Sequence, residues 1–150
     1  RLSARQRERC EGLIRAIALF VGIGHATHEE IDEAGILPST RLAMRRALQG
    51  LALQPELVLV DGRRIPQLEL RQEPWIKGDA NCHAIAAASI LAKVTRDRLM
   101  IEYDQQYPEY GFAGHKGYGT KHHLHAIATH GPCPIHRKTF RGVKEHLVLR

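Results

Sequence analysis

Four consecutive apolar residues, Leu57-Val58-Leu59-Val60, lie between Pro55 and the turn pair Asp61-Gly62 and constrain the fold of this chain more than any other stretch. A strand with one wet face alternates apolar and polar side chains. An unbroken short run bounded by turn residues reads instead as a strand buried on both faces. Such a strand needs covering helices, and the sequence supplies them. Ser3 is placed to cap a helix from Ala4 to about Ala16, with Arg5, Arg7 and Arg9 on its polar side and Leu13, Ile14 and Ile17 on its apolar side. Thr27-His28-Glu29-Glu30 has the form of a capping box opening a short helix that stops near Gly35. Ser39 is expected to cap another, with Leu42, Ala43, Ala47, Leu48 and Leu51 along one face. A long helix is expected from about Asn81 to Gln106, and a last one from the Thr120 cap through His130, halted by Gly131-Pro132. Ala18 to His25 reads as a second strand, Ile65 to Leu70 as a small hairpin or extension closed before Pro74, and Pro108 to Gly119 as a loop. Helices alternating with strands, without repeats or linkers, indicate one α/β domain.

The chain has 150 residues, 43% of them hydrophobic, which is one domain's worth with enough apolar material for a core. Twenty-two Lys+Arg against sixteen Asp+Glu give a net charge of +6, a balance that favours a polyanionic partner. Aromatic residues make up only 5%, too few for a broad base-stacking platform. Cys10, Cys82 and Cys133 are odd in number and lack C-x-x-C spacing, so free thiols in a reducing compartment are expected rather than a disulfide framework or a zinc ribbon. No apolar run approaches the roughly 20 residues of a membrane span. The first fifteen residues are mostly charged and helix-forming, unlike a secretory leader. A soluble, cytoplasmic protein without a membrane partner is the expectation.

The aspartates are Asp32, Asp61, Asp79, Asp97 and Asp104. Asp61 falls at the carboxyl end of the buried strand, where open α/β sheets hold ligands, but an Asp-Gly pair also simply makes a turn, and local sequence does not separate the readings. Asp79 lies at a loop-to-helix junction, where an Asp is most often a cap. Two acids at element ends can instead converge on a divalent cation that prefers hard oxygen ligands. Asp97 and Asp104 fall on the long helix, and Asp97 reads as a solvated charge partner of Lys93 and Arg96.

Five segments carry more than their local chemistry: Val60-Asp61-Gly62, Lys77-Gly78-Asp79, the alanine-rich Ile85 to Lys93, His115-Lys116-Gly117-Tyr118-Gly119-Thr120, and His136-Arg137-Lys138-Thr139-Phe140. Together they closely resemble the ribonuclease HII family, across essentially all of the chain. The resemblance implies a ribonuclease H-like mixed sheet flanked by helices, with a C-terminal helical part. It implies an endonuclease that cuts the RNA strand of RNA–DNA hybrids and nicks 5′ of ribonucleotides embedded in DNA, leaving a 3′-hydroxyl and a 5′-phosphate. The family's site has four carboxylates, and Asp61 and Asp79 match two of them. Their implied role is to hold Mg²⁺ or Mn²⁺, as a pair of ions about 3.5–4 Å apart. Tyr118, in its glycine-flanked loop, matches the tyrosine that stacks at the RNA–DNA junction. His115, Lys116 and Lys77 suit phosphate contact, and Arg137 and Lys138 form a basic patch for the duplex backbone, which positions without reading sequence. The implied partners are RNA–DNA hybrid duplexes and ribonucleotide-containing DNA, bound by a monomer.

The family's other two acids lie in an N-terminal Asp-Glu-Ala-Gly-Arg-Gly strand. Asp32-Glu33-Ala34-Gly35 imitates its start, but Glu29-Glu30-Ile31 before it is helical and Ile36-Leu37 after it lacks Arg-Gly, so Asp32 reads as part of a helix end. Arg1 to Arg5 resembles the family's segment after its first two strands. The expectation is therefore a chain that begins inside the domain, without the central strand between Ala18–His25 and Leu57–Val60, inactive and poorly folded alone. The other reading is a noncatalytic nucleic-acid-binding remnant of the same fold. Ser89 and Lys93 share a helical face, while Tyr103, Tyr107 and Tyr110 read as packing groups. His122, His123, His125 and His130 read as a solvent-facing basic helix rather than a zinc site.

Overall fold

A computed structural model describes residues 2–147, which form two compact units. Of the described residues, unit 1 comprises 2–26 and 37–94, and unit 2 comprises 27–36 and 95–147.

Unit 1 opens with α1 (Ala4–Ile17), capped by Ser3 in a reciprocal box with Gln6. The expected apolar face of α1 is not a buried one. Leu13 and Ile17 are 70% and 82% exposed, and the side chain α1 buries is Glu11, which accepts a hydrogen bond from Arg15 Nε at 2.9 Å. Residues 18–26 form no strand, contrary to the sequence reading, because they pair with no other backbone among the described residues. They run instead along α3 (Ile36–Gln49). A Cβ on Gly24 would lie 2.1 Å from the Ala43 carbonyl oxygen and one on Gly22 2.0 Å from that of Ala47, so only glycine permits this approach. Arg46 then fastens the segment by donating to the His25 carbonyl at 2.9 Å.

Helix α3 starts three residues before its expected Ser39 cap. Pro38 is tolerated in the first turn, where its missing N–H has no carbonyl to meet, and Ser39 is buried within the helix.

The Leu57–Val60 run is the expected strand, β1 (Leu57–Asp61), but it is not buried on both faces: only Val60 is. The reason is its neighbours. Among the described residues β1 has one partner, β2 (Arg71–Trp75), in a two-stranded parallel sheet with Leu57 opposite Arg71 and Asp61 opposite Trp75. β2 was not legible as a strand and contains Pro74, where the sequence reading ended the preceding segment; an edge strand tolerates a missing N–H. Residues 65–70, expected as a small hairpin or extension, are a loop tied to β2 by Gln72. Its buried amide accepts from Ile65 N at 2.8 Å and donates to the Ile65 and Leu68 carbonyls at 3.0 and 3.1 Å. The short α4 (Gly78–Asn81) follows, and Cys82, in an extended conformation, separates it from the long α5 (His83–Gln106). Residues of α5 up to Val94 belong to unit 1 and those from Thr95 to unit 2.

Unit 2 contains α2 (His28–Ala34), opened by the expected Thr27–Glu30 capping box. The stretch expected as a loop holds a 3-10 turn at Pro108–Tyr110 and the short α6 (Phe112–His115). The last helix, α7 (Lys121–His130), is capped by the Thr120 hydroxyl as expected. Tyr110, Phe112, Ala126, Ile127, Cys133 and Val143 make one core, against which Tyr103 and Tyr107 pack. All three cysteines are free thiols. No helix among the described residues is long and apolar enough to cross a membrane.

Candidate active site

In unit 1 the route from β2 to α4 turns sharply at Lys77, a non-glycine residue in the left-handed region at φ 54°. Holding it there costs about 1–2 kcal/mol, a strain that tends to be retained where geometry matters. The turn aims the Gly78 amide at the end of β1, where it donates to Asp61 Oδ1 at 2.9 Å. Gly78 packs tightly, since a Cβ would lie 2.5 Å from Ile85 Cδ1 and 3.1 Å from Trp75 Cβ and would make the Ile85 side chain shift. This close packing brings the turn against β1. Asp61 is thus anchored at the carboxyl end of its strand by the amide next to Asp79, and both carboxylates are exposed.

Lys93 belongs to the same site. Its Nζ lies 3.9 Å from Asp79 Oδ2 and donates to Ser89 Oγ at 2.6 Å. The Asp79–Lys93 pair is about half exposed, so it is worth little as a stabilising ion pair. Its value is to keep a cation beside the acids. Sequence reasoning had the Ser89–Lys93 spacing but no means of knowing which groups this face of α5 would meet. A shallow cleft next to Asp61 is lined by Thr40, Arg41, Met44, Gly62 and Arg63, adding two arginines that the sequence reading did not single out.

The donor set fits a hard divalent cation such as Mg²⁺, which is commonly held by one or two carboxylates with waters and phosphate oxygens completing its shell. Among the described residues no three His, Cys, Asp or Glu side chains converge on one point. Asp32 is not drawn into this group. It lies in α2, in unit 2, where its carboxylate accepts from Lys138 N at 2.6 Å, Thr139 N at 3.0 Å and Thr139 Oγ1 at 2.6 Å. Burial opposes its charge, but these bonds and nearby Arg137 hold its pKa below the ordinary aspartate value. Asp104, on α5, accepts from Ala113 N at 3.0 Å, another internal brace.

Unit 2 carries the remaining residues singled out from the sequence. Tyr118 is 70% exposed in its loop. Lys116 adopts a left-handed conformation at φ 52°, and its carbonyl accepts from Arg96 Nη2 at 3.2 Å. His115 is half-buried, with both ring nitrogens engaged: Nε2–H donates to the Tyr110 carbonyl at 2.8 Å and Nδ1 accepts from Gly117 N at 3.2 Å. Arg137 stacks over the Phe140 ring at 4.4 Å, and Lys138 is held through its backbone by Asp32. The histidines of α7 do not all face solvent, contrary to the sequence reading. His123 is buried because its ring packs on His115 at a centroid distance of 4.2 Å and bonds to buried His136 at 3.0 Å.

A parallel strand ending in an anchored aspartate, followed by a strained turn that carries a second one, defines a class once it is set beside known folds. The crystal structure of the ribonuclease H2 from Pyrococcus horikoshii OT3 matches 97% of this chain and 76% of that one, with a TM-score of 0.72 and 26% identity. The fold is that of the ribonuclease H enzymes. The Ribonuclease HII family model matches residues 1–143. A Ribonuclease HII of Geobacter metallireducens is 57% identical over 147 residues, covering 98% of this chain and 69% of that protein. One of Albidiferax ferrireducens is 60% identical over 146 residues, covering 97% and 70%. The chain belongs to the ribonuclease HII family.

Proposed function

We propose that this chain carries part of the centre of a divalent-metal-dependent endonuclease that cuts the RNA strand of RNA–DNA hybrids and nicks 5′ of single ribonucleotides in DNA. The observation that supports it most is the bond from the Gly78 amide to Asp61, which joins the end of β1 to the turn bearing Asp79. Asp61 and Asp79 would hold Mg²⁺ or Mn²⁺, in a two-ion arrangement with the scissile phosphate. When bound, such ions supply a nucleophile at neutral pH and stabilise the leaving 3′-oxygen of an in-line displacement. The products are a 3′-hydroxyl and a 5′-phosphate.

The chain's own groups do the rest. The Gly78 N–H fixes one oxygen of Asp61 and leaves the other to face a ligand. Lys93 and Lys77 offset the repulsion between the carboxylates and draw phosphate towards them. Tyr118 offers its exposed ring to a base at the junction, Lys116 contacts phosphate, and Arg137 and Lys138 lie on the duplex backbone. His115 braces the Tyr118 loop rather than reaching phosphate itself, since both its nitrogens are engaged.

Two carboxylates are half of the family's four, so the 150 residues alone are expected to be inactive. The noncatalytic remnant reading is favoured by the same fact, that among the described residues no third acid joins Asp61 and Asp79. A test is to join the family's Asp-Glu-Ala-Gly-Arg-Gly-bearing segment ahead of Arg1 and assay a duplex with one ribonucleotide. Mg²⁺-dependent cutting, abolished by Asp79→Asn with duplex affinity nearly intact, is expected. Binding in chelator with no cutting by the joined chain would promote the remnant, and cutting untouched by Asp79→Asn would remove the metal assignment.

A further inference from the structure

Tyr118 poses a positioning problem. A ring 70% exposed is not held by its own packing, so its place is set by the backbone of its loop. That backbone is tied on both sides by imidazoles. On one side Gly117 N donates to His115 Nδ1. On the other, the Tyr118 carbonyl accepts from Thr120 N at 2.8 Å and from His123 Nδ1 at 3.0 Å.

The second tie continues into the core, and its proton positions follow from donor and acceptor accounting. A carbonyl can only accept, so His123 carries its proton on Nδ1 and its Nε2 is bare. His136 Nδ1 accepts from Cys133 N at 3.0 Å, so the His136 proton is on Nε2, facing bare His123 Nε2 at 3.0 Å. The result is a one-way chain: Cys133 N–H to His136, His136 Nε2–H to His123, His123 Nδ1–H to the Tyr118 carbonyl. Every ring nitrogen in it is engaged with both imidazoles neutral, and Cys133 Sγ also lies 3.0 Å from His136 Nδ1, where its S–H donates to the same bare nitrogen. A proton added to His123 Nε2 would set two N–H groups against each other across 3.0 Å, and one added to His136 Nδ1 would face Cys133 N–H. Burial lowers the pKa of both rings, in keeping with this arrangement.

We propose that His136 and His123 are positioning residues for Tyr118, acting through this directional hydrogen-bonded chain to fix the ring for contact with nucleic acid. The proposal rests on the reading of Tyr118 as a substrate contact. It assigns a role to a buried pair that touches no substrate.

Two substitutions at one position separate relay from bulk packing. In His136→Gln the amide nitrogen reaches the place of Nε2 and still donates to His123. In His136→Asn the side-chain oxygen replaces Nδ1 and accepts from Cys133 N, but nothing reaches His123. The readouts are affinity for a fluorescent RNA–DNA junction duplex in chelator and amide exchange at Gly117 and Thr120. His136→Asn is expected to weaken binding about tenfold, as Tyr118→Ala does from lost base stacking. The double variant should bind no more weakly than Tyr118→Ala alone, and His136→Gln should recover most of the affinity. Exchange at Gly117 and Thr120 should quicken in His136→Asn while Ile127 stays protected. Additive losses, or the two variants behaving alike, would overturn the proposal. If the unsubstituted chain binds no duplex, the functional reading fails and amide exchange still decides the positioning. If His136→Asn loses protection at Ile127 as well, the unsubstituted chain taken from pH 7 towards 4.5 decides it instead. Gly117 and Thr120 should then open before Ile127, and simultaneous opening would refute the relay.

Discussion

The two units solve the burial problem differently. Unit 2 closes a core of aromatic and aliphatic side chains around Ile127 and buries two imidazoles within it, each with its hydrogen bonds met. Unit 1 holds one candidate metal ligand, Asp61, at the end of a two-stranded sheet and the other, Asp79, in the short α4, and leaves Leu13, Ile17, Leu19, Phe20, Leu53 and Ile76 exposed. The difference teaches that geometry for chemistry and stability for folding are assigned to separate parts of the chain. The acids sit where the backbone is strained and open, and the exposed Tyr118 sits where it is braced from within.

The largest effect expected from breaking this contrast is at the acids. Asp79→Asn in the joined, active chain should lower cleavage about a thousandfold or more, since several kcal/mol of charge stabilisation are lost. Single-turnover cleavage in Mg²⁺ measures it. Next comes the core of unit 2. Ile127→Ala is expected to cost about 2–5 kcal/mol in denaturant unfolding, because a buried aliphatic side chain leaves a cavity. Leu19→Ala in unit 1, at a side chain 90% exposed, should cost under about 0.5 kcal/mol. Equal costs would erase the distinction between the units.

A smaller effect comes from pH. Burial first, with His115, His136 and His122 nearby, pushes His123 down to about 4 from an ordinary value of 6.5, against the pull of the Tyr118 carbonyl. Above pH 6.5 the ring is neutral folded or unfolded and contributes no pH dependence. Below it the unfolded chain takes up the proton first, so stability should fall as pH drops from 6.5 to about 4 and then level off for this group. A melting temperature that is flat across that window would contradict the buried neutral pair. A further effect of modest size is at Asp32. Asp32→Ala removes the three bonds to Lys138 and Thr139 and should cost about 1 kcal/mol, with duplex affinity reduced through Arg137 and Lys138. Urea unfolding and a binding titration check both halves.

What was legible in the sequence was local. The Ser3, Thr27 and Thr120 caps each join a side chain to a backbone amide three residues on, so the signal and the structure share one short window. The Leu57–Val60 strand and its terminal Asp61 were legible for the same reason. What was not legible depended on partners distant in the chain. Arg71–Trp75 is charged and contains a proline, and it is a strand only because β1 pairs with it. Residues 18–26 have strand-forming side chains but lie against α3 through two glycines. His123 sits in a histidine-rich helix whose buried face the sequence does not announce, and its partner His136 is thirteen residues on. Lys93 entered the site only when α5 met the turn at Asp79.

The proposed metal ligands are Asp61 and Asp79 in unit 1, not the histidines of unit 2. Titrating Mn²⁺ into the isotopically labelled chain and following paramagnetic broadening tests this assignment directly. The amides of Gly62, Gly78 and Asp79 should broaden first, and Asp79→Asn should remove the effect. Broadening centred on His122 to His130, or unchanged by Asp79→Asn, would contradict it.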